Sequence, residues 1–177
     1  RDALLGQSSD EVDLVTRRAS ELAAACSGEG GARLVQIDRR FGALRLIPPG
    51  AERVGPIRSL DLSPLRGSSI LEDLRYRDFT VNAMAVDLLA WRNNGRVEFI
   101  DPLGGLADLR SGQLRACTSL SFADDPLRVL RAYRFLGSYP FRLDFKTRTW
   151  INAHSRDLEA VAVERMRDEL SLVLESP

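Results

Sequence analysis

Glu11-Val12-Asp13-Leu14-Val15-Thr16 is the stretch on which the reading of this chain turns. Acidic and apolar residues alternate along it, and a period of two is that of a β-strand with one wet face and one buried face. Glu11 and Asp13 then point the same way, about 6.6 Å apart along the strand. Working outward, Thr16 is placed to cap a helix running to about Cys26, and Ser27-Gly28-Glu29-Gly30-Gly31 breaks it. Residues 33–37, 43–47 and 58–62 read as further strands, with Leu60 and Leu62 on one face and Asp61 on the other. Ser69-Ile70-Leu71-Glu72 fits a capping box, so a helix is expected to start there. Residues 86–91 and 96–100 flank Asn93-Asn94-Gly95, a hairpin signal. From about Thr118 the pattern becomes helical, with candidates at 125–136 (Gly137 as the stop), 146–155 and 163–175. The layout predicts an α+β region followed by an all-α region, divided near 115–120.

The 177 residues and 19.7 kDa suffice for one sizeable domain, or one domain with a helical extension. A chain of this size buries about 70% of its unfolded surface and needs no staple to fold. Hydrophobic residues at 44% and charged residues at 28% are ordinary for a globular protein and argue against disorder. No apolar run is long enough for a membrane span, and no apolar segment of the signal-peptide kind follows Arg1. Cys26 and Cys117 have no CxxC spacing, so a zinc site or disulfide framework is not expected and a reducing cytoplasm fits. Net charge is zero, 25 basic against 25 acidic residues. A nucleic-acid binder of this balance must concentrate its cations at one site or carry part of its surface elsewhere. Lys146 is the single lysine; the other cations are arginines, whose planar forks suit phosphates and base edges.

Three constellations bear on chemistry. Glu11 and Asp13 offer hard oxygen donors of the kind Mg²⁺ takes, and Asp61 could add a third; a plain solvent-facing strand is the other reading. Arg75-Tyr76-Arg77-Asp78-Phe79-Thr80-Val81-Asn82 gathers arginines suited to a triphosphate and an Asp and Asn suited to ribose hydroxyls, or else a surface ion pair. In Asp124-Asp125-Pro126-Leu127-Arg128-Val129-Leu130-Arg131-Ala132-Tyr133-Arg134-Phe135, Pro126 sits well in a first helical turn. Arg128, Arg131 and Arg134 then sweep an arc of roughly 120°. They repel one another unless an anion sits there. His154 is the sole histidine, so His-based nucleophilic catalysis has little to work with. Residues 101–109 read as a turn into a short helix or a phosphate loop.

In order, these segments resemble the class II tRNA nucleotidyltransferase and bacterial poly(A) polymerase family. Arg1-Asp2-Ala3-Leu4-Leu5-Gly6 is similar to the end of its GGxVRDxLLG motif, and Glu11 to Thr16 to its DxDLVT strand. Arg77-Asp78-Phe79-Thr80-Val81-Asn82-Ala83 is similar to RRDFTINA, and residues 101–109 to DPxGGxxDL. Residues 125–135 resemble the EDxxRxxRAxRF helix, and Glu164-Arg165 with Glu169 resembles ERxxxE. The resemblance implies a DNA polymerase beta-type head with a mixed sheet and helices over 1–117, incomplete at its N-terminus, and an all-helical neck over 118–177. It implies addition of CMP and AMP to the tRNA 3′ end from CTP and ATP, in the cytoplasm and without a membrane. The alternatives are a poly(A) polymerase, an enzyme limited to CC or A addition, or a non-catalytic nucleotide- or RNA-binding relative. By the match, Glu11 and Asp13 are catalytic and hold Mg²⁺; Arg1, Arg77, Asp125, Arg128, Arg131 and Arg134 bind the nucleotide. Departures are Glu11 for the first Asp of DxD, Tyr76 for the first Arg of RRD, and Asp124 for Glu. The match also implies further helices beyond Pro177.

Overall fold

The computed structural model describes residues 1–39, 41–50 and 57–175, and in it the alternating stretch is strand β1, Glu11–Thr16. Contacts divide the chain into two compact units, Arg1–Ile70 and Leu71–Pro177.

In the first unit, β1 is followed by helix α1 (Ala19–Gly28) and strands β2 (Arg33–Asp38), β3 (Ala43–Ile47) and β4 (Ser59–Pro64). The sheet order is β1-β4-β3-β2. β1 and β4 are parallel, which places Asp13 opposite Asp61, and the other pairs are antiparallel. Period two decides which side chains face inward: Leu14, Leu44, Leu46, Leu60 and Leu62 pack with Ala19 and Ala23 of α1. Small alanines there let the helix lie close on the sheet. The helix begins later than the sequence suggests. Thr16 is still strand, and its Oγ1 accepts from the Arg18 amide at 3.3 Å, so α1 starts at Ala19 with Arg18 as its cap residue.

Helix α2 (Ile70–Arg75) begins at the boundary between the units, where the capping box placed it, and leads into the second. Strands β5 (Ala85–Val86) and β6 (Phe99–Ile100) form an antiparallel pair around helix α3 (Leu88–Asn94). Helix α4 (Gly105–Ser111), strand β7 (Gln113–Leu114), and helices α5 (Ser121–Asp124) and α6 (Arg128–Ser138) follow. Strand β8 (Arg142–Leu143), helix α7 (Phe145–His154) and helix α8 (Val163–Leu174) complete it. Phe79, Phe122 and Phe135 centre its core, with Phe79 and Phe135 edge-on at 5.5 Å. That core runs from Phe79 to Ile151, so the expected division near 117 falls within one packed cluster.

Three expectations change. The 86–100 hairpin holds only in its outer rungs, because Asp87 accepts from the Leu89 and Ala90 amides at 2.8 and 3.0 Å and starts α3. The Asn-Gly signal is instead the helix end, with Gly95 left-handed at φ 65°. The helix expected at 125–136 is split. Asp125 is extended (φ −149°), ends α5, and precedes α6, which runs through Gly137 to Ser138 before Pro140. The stretch after 118 is helical apart from β8, which pairs in parallel with β7.

Candidate functional site

On β1, Glu11 and Asp13 share the exposed face, as the alternation requires. Arg45 of β3 lies beside them. Its Nε and one terminal nitrogen grip Asp61 at 2.7 and 2.9 Å, and it touches Glu11 end-on at 3.1 Å. Asp61 hydrogen-bonds Arg45 and pushes its pKa upward, so the cation is permanent. Asp61, the carboxylate that could add a third oxygen donor, is held by Arg45. Among the described residues, no group of three or more His, Cys, Asp or Glu comes together as a metal site. On the exposed face of β1, Glu11 is half-exposed and Asp13 exposed. Such a pair still fits Mg²⁺, which is commonly held by one or two carboxylates completed by water and substrate phosphate. Arg1 lies in the same unit, its Nε 2.6 Å from Asp2, within a 3-10 turn at Asp2–Leu5.

The second unit gathers Arg77, Asp125, Arg128, Arg131 and Arg134 into one lattice with carboxylates. Asp78 is its hub. One oxygen accepts from the Phe79 amide (2.7 Å) and Asn82 (3.1 Å), and the other from Arg131 Nε and a terminal nitrogen (3.0 and 2.7 Å). Burial alone would raise its pKa; the charge and hydrogen bonds of Arg131, with Asn82 and the charge of Arg128, outweigh burial and hold it at about 2. Arg134 meets Glu169 of α8 at 2.5 Å, and Arg131 reaches the same carboxylate at 3.8 Å. Arg77 pairs with the buried Asp73 at 2.9 Å, four residues back. Arg128 is buried and donates to the carbonyls of Tyr76 (2.6 Å), Arg77 (3.3 Å) and Ser121 (3.1 Å). Asp125 accepts from Arg165 of α8 at 2.9 Å. The anions that the arginine arc demanded are supplied by the protein itself.

A second polar knot braces the motif. Thr80 donates to Asp108 at 2.5 Å, and Arg115 ties Asp108 (2.7 Å) to the Leu103 carbonyl (2.7 Å). Gly105 packs so closely on Thr80 that a Cβ there would stand 2.1 Å from its carbonyl oxygen. Asp101 accepts from the Gly105 and Leu106 amides at 2.7 and 3.0 Å, so residues 101–109 are a turn into a short helix. Burial, then the charge of Asp78, push the Cys117 thiol up to about 12.

Sequence reading gave no role to Asp73, Asp108, Arg45 or Arg165. The Asp73–Arg77 pair had a signal in its four-residue spacing on a helix. Arg45 and Asp61 sit opposite each other only through sheet register. Arg165 is 40 residues from Asp125, and no local pattern announces that contact.

Residues 1–115 match the poly(A) polymerase head-domain family model. The whole chain is 39% identical to 39% of the CC-adding tRNA nucleotidyltransferase of Geobacter sulfurreducens, and 36% identical to 40% of the corresponding protein of Synechocystis. In structure it resembles the Thermotoga maritima CCA-adding enzyme complexed with tRNA: TM-score 0.80, 34% identity, 99% of this chain and 41% of that one. The chain belongs to the poly(A) polymerase head-domain family. It spans about two-fifths of the length of the curated relatives it matches. No helix among the described residues is long and apolar enough to cross a membrane.

Proposed function

We propose that this chain is the nucleotide-binding, catalytic portion of a template-independent RNA nucleotidyltransferase that adds CMP and AMP to tRNA 3′ ends from CTP and ATP. The observation that carries this reading is the Glu11/Asp13 pair on the exposed face of β1, in a chain of this family. The similarity of the entire chain to CC- and CCA-adding enzymes supports the substrate. In this reading residues 1–117 serve as the head and 118–177 as the neck, the two joined through the core that runs from Phe79 to Ile151, and the protein works in the cytoplasm, where tRNA is completed.

Glu11 and Asp13 would hold Mg²⁺. When bound, the metal lowers the pKa of the RNA 3′-hydroxyl and neutralises charge on the triphosphate. The remaining work is positioning and charge complementarity. Arg1 and Arg77 contact the nucleotide, Asp125 and Arg128 stand at the base edge, and Arg131 and Arg134 extend the site. The internal partners define the terms of that binding: a nucleotide reaching Asp125 competes with Arg165, and one reaching Arg131 competes with Asp78. Arg128, spent on three carbonyls, acts by fixing the Tyr76–Arg77 backbone as well as by any direct contact.

CC addition is the second reading, favoured by the names of the relatives from Geobacter, Synechocystis and Halalkalibacterium. Labelled-nucleotide incorporation into tRNA lacking its terminal CCA tests both, with CTP alone, ATP alone and the two together. Growth by three residues supports CCA addition, and arrest at two supports CC addition. Long A tracts indicate a poly(A) polymerase. No Mg²⁺-dependent product from the intact protein refutes catalysis and leaves a binding relative.

A further inference from the structure

Sheet register sets four charged side chains on the face of the first unit's sheet that points away from α1. Asp13 of β1, Asp61 of β4 and Arg45 of β3 are direct register partners in strand order, so they form one row at steps of roughly 4.8 Å. Glu11 stands on the same face, two residues before Asp13. Within this group Arg45 is the cation, and it is engaged with two of the three carboxylates. Its Nε and a terminal nitrogen take both oxygens of Asp61 at 2.7 and 2.9 Å, and the same terminal nitrogen lies 3.1 Å from Glu11 Oε1. Glu11 on β1 and Arg45 on β3 meet over β4 because both side chains are long. Asp61 is 17% exposed and Glu11 51%, so the fork closes over the inner carboxylate and leaves the outer one open to solvent.

A guanidinium at that place works against a divalent ion. It is charged at every working pH and repels a second cation. It also occupies both oxygens that Asp61 would present. Without it, three carboxylates would share one face, and affinity for a hard cation rises with the number of charged ligands. With it, the protein offers Glu11, already leaning on Arg45, and Asp13. A Mg²⁺ ion held by so few carboxylates is completed by water and substrate phosphates, so its hold depends on a triphosphate arriving. We propose that Arg45 is a positioning residue of the metal site: by holding Asp61 and leaning on Glu11, it keeps the protein's own affinity for a divalent ion low, so that the ion is bound together with the nucleotide. The inference rests on the reading of Glu11 and Asp13 as the metal-holding pair.

Mn²⁺ binding to the intact protein without nucleotide, followed by electron paramagnetic resonance, tests it, because Mn²⁺ takes the same oxygen donors. Arg45→Met should bind Mn²⁺ about tenfold or more tightly than the wild type, the scale of removing one neighbouring unit charge and freeing one carboxylate. Arg45→Gln keeps a donor for Asp61, which protects the fold should Arg45→Met lose it, and should tighten binding as well. Arg45→Lys keeps the charge and should hold the wild-type affinity. Asp61→Asn added to Arg45→Met should give back most of the gain. A fold damaged by these changes would lose metal, so tighter binding separates the proposal from a merely structural role for Arg45. No tightening in Arg45→Met and Arg45→Gln overturns the proposal, as does equal tightening in Arg45→Lys. If Asp13→Asn meanwhile abolishes Mg²⁺-dependent incorporation, the reading of the β1 pair stands and the inference alone fails. Asp13→Asn added to Arg45→Met should abolish the tight Mn²⁺ binding. Tight binding that survives this change places the ion elsewhere and overturns both.

Discussion

Replacing Arg131 by methionine leaves Asp78 a buried carboxylate without its principal counter-charge. Methionine keeps the unbranched stem and its packing near Phe135, whose ring centre lies 5.9 Å from the guanidinium carbon. What is lost is the two-pronged contact at 2.7 and 3.0 Å. In the wild type, Asp78 sits near pKa 2, against 3.8 for an ordinary aspartate. A depressed carboxylate stabilises the fold above its unfolded pKa, and that contribution, about 2 kcal/mol, fades as pH falls through the folded value. In the variant, burial acts unopposed by Arg131 and moves the pKa up, so the ionised carboxylate opposes folding at neutral pH. Breaking a buried pair from one side costs about 3–5 kcal/mol. Arg131 is 33% exposed, so water softens the loss, and we expect about 2–3 kcal/mol at pH 7. Urea unfolding followed by tryptophan fluorescence measures it, since Trp91 and Trp150 both lie in the second unit. The gap between wild type and variant should be widest at pH 7 and shrink as pH falls towards 3. A loss below about 1 kcal/mol, or one that does not change between pH 7 and pH 3, would refute the assignment of Asp78 as a charged hub.

Asp13→Ala should abolish Mg²⁺-dependent incorporation while leaving circular dichroism and the unfolding midpoint unchanged, because Asp13 is exposed. Gly105→Ala forces a Cβ to within 2.1 Å of the Thr80 carbonyl oxygen, so backbone must move; urea unfolding should show a loss of about 2–3 kcal/mol. Thr147→Val removes the oxygen that accepts the Ala116 amide at 2.9 Å, and should cost about 1–3 kcal/mol and speed hydrogen exchange at Ala116. Cys117, with its thiol near 12 against an ordinary 9, should react with iodoacetamide at pH 8 about a thousandfold more slowly than an unperturbed thiol. Mass spectrometry of the labelled peptide checks this, and labelling at the ordinary rate would show the thiol to be exposed.

β3 and β4 are legible because apolar residues recur two apart along them, at Leu44 and Leu46 and at Leu60 and Leu62, and pack into the core, whereas β2 buries no residue. Where the sequence misled, a single residue served two roles. Thr16 is a good helix cap but is still needed as strand, and Asn94-Gly95 serves as well to end a helix as to turn a hairpin. Asp125-Pro126 looked like the start of one helix, yet Asp125 is held extended between α5 and α6 while Arg165 grips its side chain. Local pattern carries no information about a partner 40 residues away.

The arginine arc shows where local reading stops being sufficient. Helical spacing alone places Arg128, Arg131 and Arg134 together, and repulsion alone says that anions must accompany them. Spacing cannot say whether those anions belong to a ligand or to the protein. Here Asp78 lies 53 residues from Arg131, and Glu169 lies 35 residues from Arg134, so the neutralising charges arrive only through tertiary packing. This changes what the arc can do. Arginines waiting bare would bind any phosphate strongly and hold it. Arginines already paired bind an incoming phosphate only by exchange, gaining the difference between two ion pairs and not the whole of one. In the proposed nucleotide-binding role geometry would then carry the selectivity, since a ligand would have to better a two-pronged contact at 2.7 and 3.0 Å to displace Asp78. The same pairing keeps the lattice ordered without ligand, because Asp78 and Glu169 hold the guanidinium groups where repulsion would spread them.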